Sequence, residues 1–145
     1  MEPLYIEPSE FTPRVFFDPG NTVFEISGFS RPENTVDFYK PILRWLDEYE
    51  ENVLNKNTEY SKSNMVLNLK MTYFNSATSK YLLDLLMKFM KFHSKGNTVE
   101  INWFYDEDDD EILESGEEIS EMINFPFNYI PITPTQLLLI NNQIF

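Results

Sequence analysis

Met65-Val66-Leu67-Asn68-Leu69-Lys70-Met71-Thr72-Tyr73-Phe74-Asn75-Ser76-Ala77-Thr78-Ser79-Lys80 passes from an apolar, β-leaning run into a hydroxyl-rich turn. The run stops at Asn75, three hydroxyl side chains fall within the next four positions, and an amphipathic helical pattern begins. A strand that feeds a helix in this way is half of a parallel crossover, so the stretch points to an α/β sheet. A hydroxyl at such a junction also sits at the positive end of the helix dipole, beside backbone N–H groups that lack partners. A helix cap, a bound anion and a phosphorylated side chain all use such a place.

Upstream, Thr12 to Asp18 reads as a strand, Pro19-Gly20-Asn21 as a turn and Thr22 to Ser27 as a second strand, together an antiparallel hairpin. Gly28 to Asn34 reads as a loop. Ile42, Trp45, Leu46, Tyr49 and Val53 recur at helical spacing, and Pro41 places the start of that main helix at its own turn. Asn55 to Asn64 is a polar connection. Downstream, Leu82, Leu85, Leu86, Phe89 and Met90 form the apolar face of a second helix. Lys80, Asp84, Lys88 and Lys91 face water, with Asp84 and Lys88 spaced as an i,i+4 pair, and Gly96 is a left-handed cap. A fourth strand runs from Val99 to Tyr105, a short helix from Glu117 to Ile123 and a last strand from Phe127 to Ile132. The expected order is β-β-α-β-α-β-α-β, an α/β mixed sheet of about five strands. Residues 1–132 form the domain, and 133–145, with Leu137 to Ile140, are its C-terminal extension over a sheet edge or another subunit.

The 145 residues carry a formal net charge of -13 and are 42% apolar, with 13 Phe, 8 Tyr and 2 Trp as core material. That is a globular composition. Eleven basic against 24 acidic residues disfavour nucleic acid and anionic membrane as partners and make a basic protein surface the natural complement. Without cysteine there are no disulfides or thiolate metal sites. No signal peptide or membrane-length apolar run is visible, so a cytoplasmic location is expected.

Nucleophilic catalysis lacks its parts: there is no Cys, no Gly-x-Ser-x-Gly turn, and the single His93 lies late in a helix where a surface or capping role suits it. Four glycines provide no phosphate-cradling loop, so no cofactor is expected. Asp106, Asp108, Asp110 and Glu117 fall at positions 1, 3, 5 and 12 of a calcium loop, but Glu111 stands where that loop needs glycine. A Ca²⁺-dependent acidic module is thus an alternative, and a solvated acidic loop the simpler reading. Glu33 with Asp18 would serve a small carboxylate acid-base enzyme, although Asn34 beside Glu33 reads more simply as a helix cap. At the hydroxyl cluster, physical reasoning leaves capping by Asn75 or Ser76 and phosphorylation of Ser76 or Thr78 side by side.

Several segments, in order across roughly residues 10–130, resemble the SiaC-type family of bacterial regulatory phosphoproteins, whose fold is similar to STAS domains. They are Thr12-Pro13, Gly28-x-Ser30-x-Pro32-Glu33-Asn34, Phe38-Tyr39-x-Pro41-Ile42 with Trp45-Leu46, Tyr73-Phe74-Asn75-Ser76-x-x-Ser79-Lys80, Trp103-x-Tyr105-Asp106 and Gly116-Glu117. Arg31 stands where the family motif usually has an aromatic. The resemblance implies a STAS-like fold, no catalysis, and a switch phosphorylated by a Ser/Thr protein kinase and restored by a PP2C-type phosphatase. It implies that the unphosphorylated form binds and activates a signalling protein such as a diguanylate cyclase. The regulated hydroxyl of the family follows the junction Asn, which maps onto Ser76, with Thr78 and Ser79 as alternatives. The expected contact surface is Asn75, Ser76, Ser79 and Lys80 with Ser30, Pro32, Glu33 and Asn34.

Overall fold

The computed structural model describes residues 1–56 and 62–142. Six strands lie side by side in chain order: β1 (Leu4–Ile6), β2 (Arg14–Asp18), β3 (Val23–Ser30), β4 (Asn64–Phe74), β5 (Thr98–Asp106) and β6 (Asn128–Ile132). The pairs β1–β2 and β2–β3 are antiparallel, and the remaining three neighbouring pairs are parallel. Each parallel step is bridged by one helix: α1 (Thr35–Asn52), α2 (Ser76–Ser94) and α3 (Asp110–Ile123). Right-handed crossovers between successive neighbours put all three helices on one face of the sheet. A final helix, α4 (Pro134–Asn142), returns to β3 and β4.

The core lies between the sheet and that helix layer. Phe17, Phe24, Ile26, Leu67, Leu69 and Trp103 from the strands meet Tyr39, Leu46, Tyr49, Leu82, Leu86 and Phe89 from the helices, all fully buried. Burying one such side chain contributes roughly 1.5–3 kcal/mol. The opposite face sets a polar ladder among the rings of Tyr5, Phe16 and Phe104, with Arg14 over the first two and Lys70 over the third. Glu25 bridges Arg14 and Lys70, each at 2.8 Å, and the amides of Asn68, Asn102 and Asn128 bond across three strands at 2.9 and 3.0 Å.

Several sequence expectations are corrected. The sheet has six strands, not about five, because the three-residue β1 pairs with β2 and is too short to show a period. The first hairpin strand begins at Arg14, and Gly28 to Ser30 belong to β3 instead of a loop. Helix α1 starts at Thr35 and holds Pro41 inside it, so the start placed at Pro41 is wrong. An interior proline costs about 3 kcal/mol, but Tyr39 and Ile42 on either side are fully buried and hold the turn in place. Helix α3 begins at Asp110, a full two turns before Glu117, because Asp109 caps it and acidic groups suit a helix start. Lys88 pairs with Asp47 of α1 instead of Asp84. The extension after Thr133 is helical through Asn142, while the polar connection expected over Asn55 to Asn64 lies partly outside the described residues. Gly96 ends α2 at φ 102°, as expected.

Gly116 of the Gly116-Glu117 pair lies against Trp103. A Cβ built there would lie 2.5 Å from Nε1 of Trp103, which is fully buried and donates to the carbonyl of Ile112 at 3.0 Å. Gly116→Ala should therefore lower unfolding stability by about 1–3 kcal/mol through overpacking, read as a shift in urea midpoint; an unchanged midpoint would contradict this packing.

Candidate functional site

The junction between β4 and α2 is built from backbone outward. β3 and β4 run in register until Gly28 opposite Met71, and then Phe29 pairs with Tyr73, leaving Thr72 as an extra residue. Gly28 sits at φ 117°, a conformation that glycine adopts without strain. This bulge reverses the alternation of β4. Tyr73 turns away from the core to stack on Phe29 at 4.9 Å, and Phe74 turns inward, edge-on to Trp103 at 5.9 Å.

Asn75 follows and is tied at three atoms. Its N–H donates to the Ser30 carbonyl at 3.2 Å, its Oδ1 accepts from the Thr78 N–H at 2.9 Å, and its carbonyl accepts from the Ser79 N–H at 3.0 Å. Capping therefore belongs to Asn75 and not to Ser76. Thr78 is fully buried, with its hydroxyl 2.9 Å from Ser30 Oγ, which lies 2.7 Å from the Tyr39 hydroxyl. Burial pushes the Tyr39 phenol up to about 12, against smaller opposing contributions from the Ser30 and Thr78 hydrogen bonds. The three hydroxyls thus form a closed network joining β3, α1 and the first turn of α2.

Ser76 is different in kind. It is the first residue of α2, it is exposed, and its hydroxyl has no hydrogen-bond partner among the described residues. Ser79 is half-buried and Lys80 exposed beside it. Across the sheet end, Glu33 and Asn34 are exposed, and Asn34 caps α1 by accepting from the Asp37 N–H at 3.1 Å. Two members of the expected contact surface are displaced: Ser30 and Pro32 are buried, so they support that surface instead of presenting to it. Sequence reasoning missed Tyr39 and the bulge. The Ser30–Thr78 contact joins residues 48 apart, and no local period reports it.

The alternative sites do not assemble. The stretch read as a calcium loop is the end of β5 followed by α3, so Glu117 lies on a helix instead of closing a loop around Asp106. Asp18 and Glu33 sit at opposite ends of the eight-residue β3, a separation of roughly 25 Å at the usual strand rise. Asp18 is held below its ordinary value, chiefly by the Asn21 side-chain amide, and serves its own turn. His93 is exposed, its ring against Phe125 at 5.3 Å.

The model of the SiaC family regulatory phosphoprotein matches residues 6–132. The chain belongs to the SiaC family. Its role is accordingly regulatory and not enzymatic. This SiaC-family chain is 25% identical over 127 residues to an uncharacterized protein of Pseudomonas aeruginosa (strain UCBPP-PA14), a match covering 88% of this chain and 94% of that one. It is similar to the crystal structure of apo-SiaC from Pseudomonas aeruginosa, with TM-score 0.76 and 25% identity over 90% of this chain and 99% of that chain. It is also similar to a chain in the crystal structure of the diguanylate cyclase SiaD in complex with its activator SiaC, from the same organism. There the TM-score is 0.77 and the identity 25%, covering 89% of this chain and 99% of that one. Among the described residues of this SiaC-family member no helix is long and apolar enough to cross a membrane.

The burial of the Tyr39 phenol has a pH signature. A phenol whose folded pKa is raised above its unfolded value near 10 contributes stability that is present below pH 10 and lost as pH rises toward about 12. Stability of the wild type should fall across that window, and Tyr39→Phe should flatten the fall, measured by urea unfolding at stepped pH. Equal slopes for the two proteins would contradict the burial of that phenol.

Proposed function

We propose that this protein is a partner switch of STAS-like type, residues 1–132 with 133–145 as an extension of the same domain, whose state is written on Ser76. The unphosphorylated form binds and activates a signalling protein, and the SiaD complex of the relative supports a diguanylate cyclase as its class. A Ser/Thr protein kinase adds the phosphate and a PP2C-type phosphatase removes it, in the cytoplasm.

One observation carries the assignment to Ser76. It is the hydroxyl that a kinase can reach without unfolding anything, whereas the Thr78 hydroxyl is buried and doubly engaged. Ser79 is half-buried, three positions further along the helix. A phosphate on Ser76 adds about -1.5 to -2 charges at the positive end of α2, where the helix dipole and the N–H groups of Ser76 and Ala77 favour it. The fold therefore tolerates either state, and the change is felt by whatever docks on the turn. Asn75, Ser79 and Lys80 on one side, with Glu33 and Asn34 on the other, border that contact, and buried Ser30 and Pro32 hold it from beneath.

The energetic demand is modest. A tenfold loss of affinity needs about 1.4 kcal/mol, and a phosphate forced to shed its water under a snug partner exceeds that. Ser76→Asp should weaken binding of a purified cognate diguanylate cyclase by about tenfold or more, and Ser76→Ala should keep it within about twofold, as for other exposed substitutions. Isothermal calorimetry reads both; equal affinity of the two variants would sink the switch assignment.

A further inference from the structure

We infer that the cleft beside Tyr73 seats a basic side chain, arginine above lysine, supplied by the protein partner. The inference rests on the partner-binding reading above and adds the chemistry of the contact.

The cleft, about 290 Å³, opens at the C-terminal ends of β3, β4 and β5. Phe29 and Tyr73 line it together with Ile112 of α3, Leu137 of α4 and the carboxylates Asp106 and Asp109. Among the described residues no Lys, Arg or His contributes to its lining. Tyr73 is 42% exposed even though it stacks on Phe29. The bulge at Thr72 is what turns this ring outward.

The two carboxylates are partly committed. One oxygen of Asp106 accepts from the Asp108 N–H at 3.0 Å, and one oxygen of Asp109 accepts from the Ile112 N–H at 3.1 Å. Among the described residues neither carboxylate forms an ion pair. A neutral apolar occupant would strip water from both and leave them uncompensated. An acidic occupant would be repelled. A cation satisfies the charge and also meets the π face of Tyr73.

The aromatic cluster already holds one such cation in cis. The Arg31 guanidinium lies 5.1 Å from the Phe11 ring centre and 5.9 Å from that of Phe29. Among the described residues no cation lies over Tyr73. A second guanidinium there would stack on an aromatic plane while its fork of donors reaches the second carboxylate oxygens, a pairing that a lysine ammonium reproduces only as a point charge. The net charge of -13 draws a basic partner toward the whole surface, and the cleft is where one residue of it is selected.

The test uses the full chain and N-acetyl-arginine amide, followed by amide NMR shifts, with the lysine and norleucine analogues as controls. Saturable shifts are expected at Phe29, Tyr73, Asp106 and Ile112, strongest for arginine. The double variant Asp106→Asn, Asp109→Asn keeps the turn and the α3 cap, since Asn caps as well as Asp, and should weaken arginine by about threefold to tenfold. Tyr73→Leu should weaken it by a similar factor. Shifts that spread over the acidic surface without saturating, or equal binding of the norleucine analogue, or an unchanged double variant, would each overturn the proposal. Failure here with intact discrimination in the Ser76 calorimetry removes the cleft alone, and the reverse pattern removes the switch alone.

Discussion

The end of β3 at Ser30 is the point to which the start of α2 is tied. The Ser30 carbonyl accepts from the Asn75 N–H at 3.2 Å and from the Thr78 hydroxyl at 3.3 Å, and the Ser30 hydroxyl contacts Thr78 and Tyr39. One serine thus fixes the start of α2 against a strand and against α1. All of these groups are buried or capped, so breaking one partner strands the others, and the arrangement holds as a unit. With Asn75 held at three atoms, the next residue has only one direction in which to point, and Ser76 stands in solvent. The rigid frame and the exposed hydroxyl are two consequences of the same bonds.

The bulge beside it does comparable service for the neighbouring surface. An extra residue in β4 opposite Gly28 sends Tyr73 out and Phe74 in, so an aromatic ring that strict alternation would bury becomes part of a cleft. Bulges commonly re-aim side chains in this way near functional sites. The layering leaves room for it: three helices occupy one face, while the other carries the charged and amide ladder of Glu25, Lys70 and Asn102 and does not demand a second helix layer. The proposed switch at Ser76 and the proposed arginine cleft share one frame, the first acting by a change of state, the second by constant chemistry.

Much of the fold was legible because the long elements are periodic. The alternation of β4 and β5 and the heptad-like spacing of α1 and α2 report burial directly. Local chemistry was misread where tertiary packing overruled it. Pro41 argued for a helix start, yet Tyr39 and Ile42 bury around it and the helix runs through. The acidic run from Asp106 looked like a loop, although Asp109 as cap and Asp110 and Glu111 in the first turn are what a helix start favours. At the site, Asn75 and Ser76 were visible as a junction and the family resemblance pointed to Ser76, whereas the physical distinction between Ser76 and Thr78 was not visible. It depends on Ser30 and Tyr39, which approach Thr78 only in the folded chain.

Ser76, the hydroxyl that the frame presents, is the one we propose the cell modifies. Fragment mass spectrometry of the protein purified from its own cells, with phosphatases inhibited at lysis, tests it most directly. The prediction is a phosphate localised to Ser76 in a fraction of the molecules. A phosphate on the buried Thr78, or none under any growth condition in which the protein is made, would contradict it.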